Sequence, residues 1–195
     1  MPEIDDNFTG ELVQEAANGK VIISFVNGQK HGKTTFVSPE NIVLSEIEYK
    51  DDIIDGEVRQ YYPSGKILSL IEYKVGKQDG KFITYFENGI IQTQSEYKDG
   101  LQCGHFKGFD DFGDLISECE YVNGQKSGKS LIYYSKSQGR GIYELSFFEN
   151  GLLSGDKVTF YPTGEIMTLT PYKEGKAQGY TKIYDKSGFE ITTNN

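Results

Sequence analysis

The chain has 195 residues; 36% are apolar, 13% are aromatic, 23 are Gly, and 29 acidic against 20 basic side chains give a net charge of −9. This balance excludes a nucleic-acid binder, which needs a basic footprint, and no run approaches the ~20 apolar residues of a membrane-spanning helix. Two Cys make no disulfide framework.

The opening segment, MPEIDDNFTG, is acidic and lacks the apolar stretch of a secretory leader. As it stands it predicts a cytoplasmic protein; an envelope or secreted location would follow if a leader once preceded Met1. From Gly32 onward Gly recurs at Gly56, Gly80, Gly104, Gly128, Gly155 and Gly179, in steps of 24 with a single step of 27, and a degenerate earlier step runs from Gly10 to Gly32. The chain therefore reads as one repeat domain, 1–195, with units at about 10–32, 32–56, 56–80, 80–104, 104–128, 128–155, 155–179 and 179–195. The atypical first unit and the closing FEITTNN are expected to act as caps on the repeat.

Each unit is expected to be a β-hairpin and a turn. In the unit starting at Gly56 the first strand is placed at about Glu57 to Tyr62 and the second at Lys66 to Tyr73. Pro63-Ser64-Gly65 between them suits a type I turn with a G1 bulge. A second turn, such as Lys98-Asp99-Gly100, leads to the next unit. Strict alternation then puts Tyr61 opposite Ile67, Arg59 opposite Ser69 and Glu57 opposite Ile71. One face would carry the regular residues: the first aromatic, an aliphatic, Ser or Thr, and the repeat Tyr (Tyr49, Tyr73, Tyr97, Tyr121, Tyr172). A helical reading fails, because no window shows a 3.6-residue period free of Gly. The predicted fold is all-β: an elongated, single-layer, twisted antiparallel sheet of about eight 24-residue hairpin repeats, with roughly 15 strands and a length of ~70 Å. The segment SKSQGRGIYEL in unit 128–155 carries about three extra residues and disturbs the register there.

Tyr61-Tyr62-Pro63-Ser64-Gly65-Lys66, Tyr73-Lys74-Val75-Gly76-Lys77-Gln78-Asp79-Gly80, Tyr161-Pro162-Thr163-Gly164 and Tyr172-Lys173-Glu174-Gly175-Lys176-Ala177-Gln178-Gly179 resemble MORN repeats. They are most similar to the variant of the YwqK-like antitoxins of bacterial toxin–antitoxin pairs. The resemblance covers about 10–191 and implies the hairpin fold. It also implies action through surface contact, as an antitoxin or immunity protein.

Catalytic and metal candidates are absent from the sequence pattern. His31 and His105 fall at turns with no ligand spacing, Cys103-Gly104-His105 lacks an orienting third group, and no cofactor is expected. In the register above, Cys103 and Cys119 are diagonal neighbours on one face. Two rows are candidate binding residues. Glu48, Glu72, Glu96 and Glu120 precede the repeat Tyr and form an acidic ladder. This stripe suits a basic partner; beside the ladder Lys50, Lys74, Lys98 and Lys173 it also reads as a merely solvated strand edge. Tyr62, Phe86, Tyr134 and Tyr161 lie near the hairpin turn, hard to explain as core, and are read as contacts.

The expected function is a non-enzymatic protein-binding module that neutralises a toxin, with a basic toxin domain as the kind of partner expected. The alternative is a structural or scaffold protein of the bacterial envelope or surface. Net negative charge without a basic cluster speaks against nucleic acid and membrane lipid as partners.

Overall fold

A computed structural model describes residues 5–191; residues 1–4 and the last four residues of FEITTNN lie outside the described part. Among the described residues there are 17 strands and no α-helix, and the strands form an open antiparallel sheet. The all-β hairpin repeat is thus as the sequence predicts. Contacts divide the chain into two compact units, one up to Ile91 together with Glu96–Leu101, the other Gln92–Ser95 with Gln102 onward.

The first unit holds β1 (Gly10–Ala16), β2 (Gly19–Val26), β3 (Gln29–Val37), β4 (Val43–Lys50), β5 (Ile53–Tyr61), β6 (Ile67–Lys74) and β7 (Lys77–Tyr85). Each pairs with the next in chain order. Strand β8 (Ile91–Lys98) is divided between the units. The second unit holds β9 (Leu101–Phe109, bar its first residue), β10 (Leu115–Val122), β11 (Gln125–Tyr133), β12 (Ile142–Glu149), β13 (Leu152–Leu153), β14 (Gly155–Phe160), β15 (Ile166–Lys173), β16 (Lys176–Ala177) and β17 (Lys182–Ile183). The extra residues of unit 128–155 form a short 3-10 turn, Lys136–Gln138, between β11 and β12.

Two turn types alternate, each with a chemical reason. Between units lies a two-residue turn in which both residues have positive φ: Asn27-Gly28, Val75-Gly76, Asp99-Gly100, Asn123-Gly124, Asn150-Gly151 and Glu174-Gly175. This is the type I′ geometry whose twist matches the flanking strands. At the far end of each hairpin the tip closes by two backbone bonds. Tyr62 N–H donates to Lys66 C=O and Gly65 N–H to Tyr62 C=O, both at 2.8 Å. Phe86/Ile90, Asp110/Asp114, Tyr161/Glu165 and Asp185/Phe189 repeat the first bond.

The expected register is wrong by one residue over most of the hairpin. Tyr61 does face Ile67, but Arg59 pairs with Leu70 and Glu57 with Glu72, not with Ser69 and Ile71. A bulge between Gln60 and Tyr61 inserts one residue on β6, and strict alternation does not survive it. Gln60, Val58, Ser69, Ile71 and Tyr73 share one face. Tyr61 lies on the other, beside Arg59 and Glu46. The first strand is also longer than expected, nine residues rather than about six, because it begins directly after the inter-unit turn and runs through the repeat Gly.

That Gly has a specific task. From Ile47 to Tyr49, β4 advances two residues while β5 advances four, from Val58 to Ile54. Three residues, Asp55-Gly56-Glu57, thus stand opposite Glu48 alone as a β-bulge, and the same happens at Asp79-Gly80-Lys81 opposite Glu72. Gly56 and Gly80 have φ of +125 and +120 there, and a Cβ at either would overlap the carboxylate of Glu48 or Glu72. Side chains with little exposure include the small or β-branched Ile23, Thr34, Val58, Ser69, Cys119, Ser130 and Ser146 and the larger Phe25 and Leu131. The cysteines are free. Phe106 pairs with Cys119 and Gly104 with Tyr121, so Cys103 and Cys119 lie on opposite faces rather than the same one.

Candidate functional site

The acidic ladder proves to be part of the bulges. Glu48 Oε2 accepts the N–H of Glu57 at 3.1 Å, and Glu72 Oε2 accepts the N–H of Lys81 at 2.7 Å. Each carboxylate thus satisfies a backbone donor that the bulge removes from the ladder. Glu120 is exposed, with its Oε1 3.6 Å from His105 Nδ1, and Glu96 is exposed on β8. The four side chains therefore share a repeat position but not a role: two are drawn onto the backbone, and two keep carboxylates toward solvent.

The second row is bound in a different way. Tyr62 OH donates to Tyr85 C=O at 2.8 Å, Tyr134 OH to Phe160 C=O at 2.7 Å, and Tyr161 OH to Tyr184 C=O at 2.9 Å. Each half-buried ring spans from its own hairpin tip to the end of the following hairpin's first strand. The three hydroxyls are stitches along the tip edge. Phe86 holds the same repeat position without a hydroxyl and is half-buried.

Where the position is not aromatic, the side chain closes its own turn. Asp110 Oδ1 accepts the N–H groups of Phe112 (3.0 Å) and Asp114 (2.9 Å). Asp185 Oδ1 does the same for Ser187 (2.8 Å) and Phe189 (3.0 Å), and Ser38 Oγ for Glu40 (3.2 Å) and Ile42 (3.3 Å). Asp and Ser are short enough to reach their own turn amides; Tyr is long enough to reach the neighbour.

The alternation reading missed a further pair. Tyr61 OH donates to Glu46 Oε2 at 2.8 Å, and Tyr133 OH to Glu118 Oε1 at 2.6 Å. The phenol bond, with Lys33 Nζ at 3.2 Å, lowers the Glu46 pKa. Burial, and then the bond to Glu118, pushes the Tyr133 phenol up to about 12. Arg59 lies 4.0 Å from Glu46 and is paired with Glu57. The signal was present in sequence as a Glu fifteen residues ahead of a Tyr at 46/61 and 118/133.

The tip edge is where the units differ most. One backbone turn carries Pro63-Ser64, Glu87-Asn88, Asp111-Phe112, Pro162-Thr163 and Lys186-Ser187 in turn. In the second unit the longer loop Ser135–Gly141 stands beside the Phe112 tip. Ser135 Oγ donates to Gln138 Oε1 at 2.9 Å, Tyr134 N–H bonds Gly141 C=O at 2.9 Å, and Arg140 Nη2 donates to Asp114 Oδ1 at 3.2 Å. A cavity of about 400 Å³ opens between this loop and the Phe112 tip. A second of about 220 Å³ adjoins it and shares Asp114 and Lys136.

Residues 54–74, 78–99 and 102–123 match the model of the MORN repeat variant. No curated protein is similar enough to be matched to the chain. These three consecutive segments coincide with hairpins of the 24-residue period, and in them the chain is similar to the MORN repeat variant.

Proposed function

We propose that the chain is a non-enzymatic protein-binding module that neutralises a toxin domain by direct contact, as an antitoxin or immunity protein does. The observation that carries this reading is the tip edge. A constant backbone turn, closed by the same bonds in unit after unit, presents different side chains in each. Recognition residues gather on such loops, held by a rigid scaffold. The exposed carboxylates of Glu96 and Glu120 and the net charge of −9 favour a basic partner through faster encounter. The test is co-expression with each toxin-like domain encoded beside this chain's gene. The reading expects one of them to arrest growth alone, to be tolerated with this chain, and to be retained by it in a pull-down of the two purified proteins. Absence of both protection and retention for every neighbouring product overturns it.

A further inference from the structure

The sheet of the first unit ends on β1, which among the described residues pairs with β2 alone. The turn Ala17-Asn18 sets Ala16 opposite Gly19, and a two-residue turn is closed by a hydrogen-bonded pair. The register runs back from there unbroken, so Ala16, Gln14, Leu12 and Gly10 bond to β2. Glu11, Val13 and Glu15 therefore point their backbone N–H and C=O groups out of the sheet's edge. The residues that lead into β1 are drawn toward the β2–β3 turn instead of folding over that edge. Phe8 C=O accepts the N–H of Gly28 at 2.8 Å, Thr9 Oγ1 accepts that of Asn27 at 3.0 Å, and the Phe8 ring lies 5.8 Å from that of Phe25. Strand β1 has neither the Pro, the Lys nor the bulge that commonly blunts an edge.

The side chains of the same three residues share one face. Glu11 and Glu15 are exposed and, among the described residues, bonded to nothing; Val13 between them is 54% exposed. The surrounding charge does not cancel the two carboxylates. The one cation of β1 and β2, Lys20, donates to Asn41 Oδ1 at 3.0 Å. On β3, Lys33 and His31 are bonded to Glu46 and Asp51, and Lys30 lies over the Tyr49 ring. Asp5 and Asp6, both exposed, add to the negative charge beside the strand. A second copy of the chain does not suit this edge, because antiparallel pairing about Val13 sets Glu11 opposite Glu15 twice, like charge against like. We propose that the β1 edge takes up an extended segment of another protein as an added antiparallel strand, in which Lys or Arg stands two residues to either side of an apolar side chain. The outward backbone groups of Glu11, Val13 and Glu15 supply the hydrogen bonds, and the Glu-x-Val-x-Glu face selects the sequence. This edge is separate from the hairpin tips and does not rest on the toxin reading.

The probe is the capped peptide Thr-Lys-Thr-Val-Thr-Lys-Thr, titrated into the full ¹⁵N-labelled chain. The expected result is saturable shifts of the amides at 10–16, with those of Glu11, Val13 and Glu15 the largest. The double variant Glu11→Gln/Glu15→Gln should weaken binding at least fivefold, and so should raising the salt. Glu149→Gln/Glu174→Gln, the same charge change in the second unit, should leave it unchanged. Thr-Thr-Lys-Val-Lys-Thr-Thr, of the same composition with both lysines moved to the other face, should bind at least fivefold more weakly. The lysine peptide N-methylated at its valine, which has lost a ladder donor, should not bind. The inference is overturned if the two lysine arrangements bind alike, if N-methylation changes nothing, if the two double variants act alike, or if the amides at 10–16 do not move. It is also overturned if sedimentation shows the free chain to be a dimer whose contact protects the amides of Glu11, Val13 and Glu15, since a second copy then covers the edge.

Discussion

The hairpins spanning 56–73 and 104–121 have the same strand lengths, the same bulge at the tip side and the same turn bonds, yet they finish their tips in opposite ways. Tyr62 reaches outward and bonds the next hairpin; Asp110 turns inward and bonds its own loop. The repeat therefore fixes where a residue stands, and the length of its side chain decides what it joins. A stitched tip spends its aromatic on cohesion. A self-closed tip leaves its neighbouring aromatic, Phe112, facing solvent.

The largest expected effect tests whether the repeat Gly acts through its bulge. Gly80→Ala puts a Cβ 2.9 Å from Glu72 Cβ, over its carboxylate, at φ +120. The expected loss is about 2–3 kcal/mol in urea unfolding. Gly65→Ala, at a tip with φ +79 and nothing within 4 Å, should cost only about 1 kcal/mol. Equal losses would mean that the Glu72 carboxylate does not occupy the bulge.

Next come the two tip chemistries. Asp110→Ala removes the acceptor of two backbone donors and should cost about 1–2 kcal/mol. Tyr62→Phe removes one hydrogen bond and should cost about 1 kcal/mol, with the ring's packing kept. A neutral Tyr62→Phe would remove the distinction between stitched and self-closed tips. Thr34→Val should go the other way. Thr34 is 3% exposed and its Oγ1 has no hydrogen-bond partner, so the isosteric change should stabilise by up to about 1 kcal/mol.

The last effect is electrostatic and shows only at alkaline pH. The Tyr133 phenol titrates near 12 in the folded chain, against about 10 for an unperturbed tyrosine. The unfolded chain gives up this proton first, so the contribution is fully present below pH 10 and is lost as pH rises toward about 12. The difference in absorbance at 295 nm between the chain and Tyr133→Phe isolates this phenol from the other tyrosines, 14 in all. Glu118→Gln should lower its midpoint, and Tyr133→Phe should remove this part of the alkaline loss of stability.

Most of the fold was legible in the sequence because Gly spacing and turn chemistry are local signals. Asn-Gly and Asp-Gly mark the inter-unit turns, and Pro63-Ser64-Gly65 marks a tip. Register was not legible, because one bulge residue moves Tyr61 to the other face, and nothing within a single unit announces it. The roles of Glu48 and Tyr62 were misplaced for a related reason. Their partners, the amide of Glu57 and the carbonyl of Tyr85, are backbone groups, which leave no trace in side-chain pattern. The tip loop at 135–141 was visible as an insertion, but its bracing and its place beside Phe112 are properties of the folded second unit.

The central claim is that recognition lies at the tip edge, and that the strand rows serve mainly to hold the repeat together. Hydrogen–deuterium exchange of the chain, alone and saturated with its retained partner, tests this directly. The account predicts new protection at 110–114 and 134–141. Protection confined to the strand segments 46–50, 70–74, 94–98 and 118–122 would contradict it.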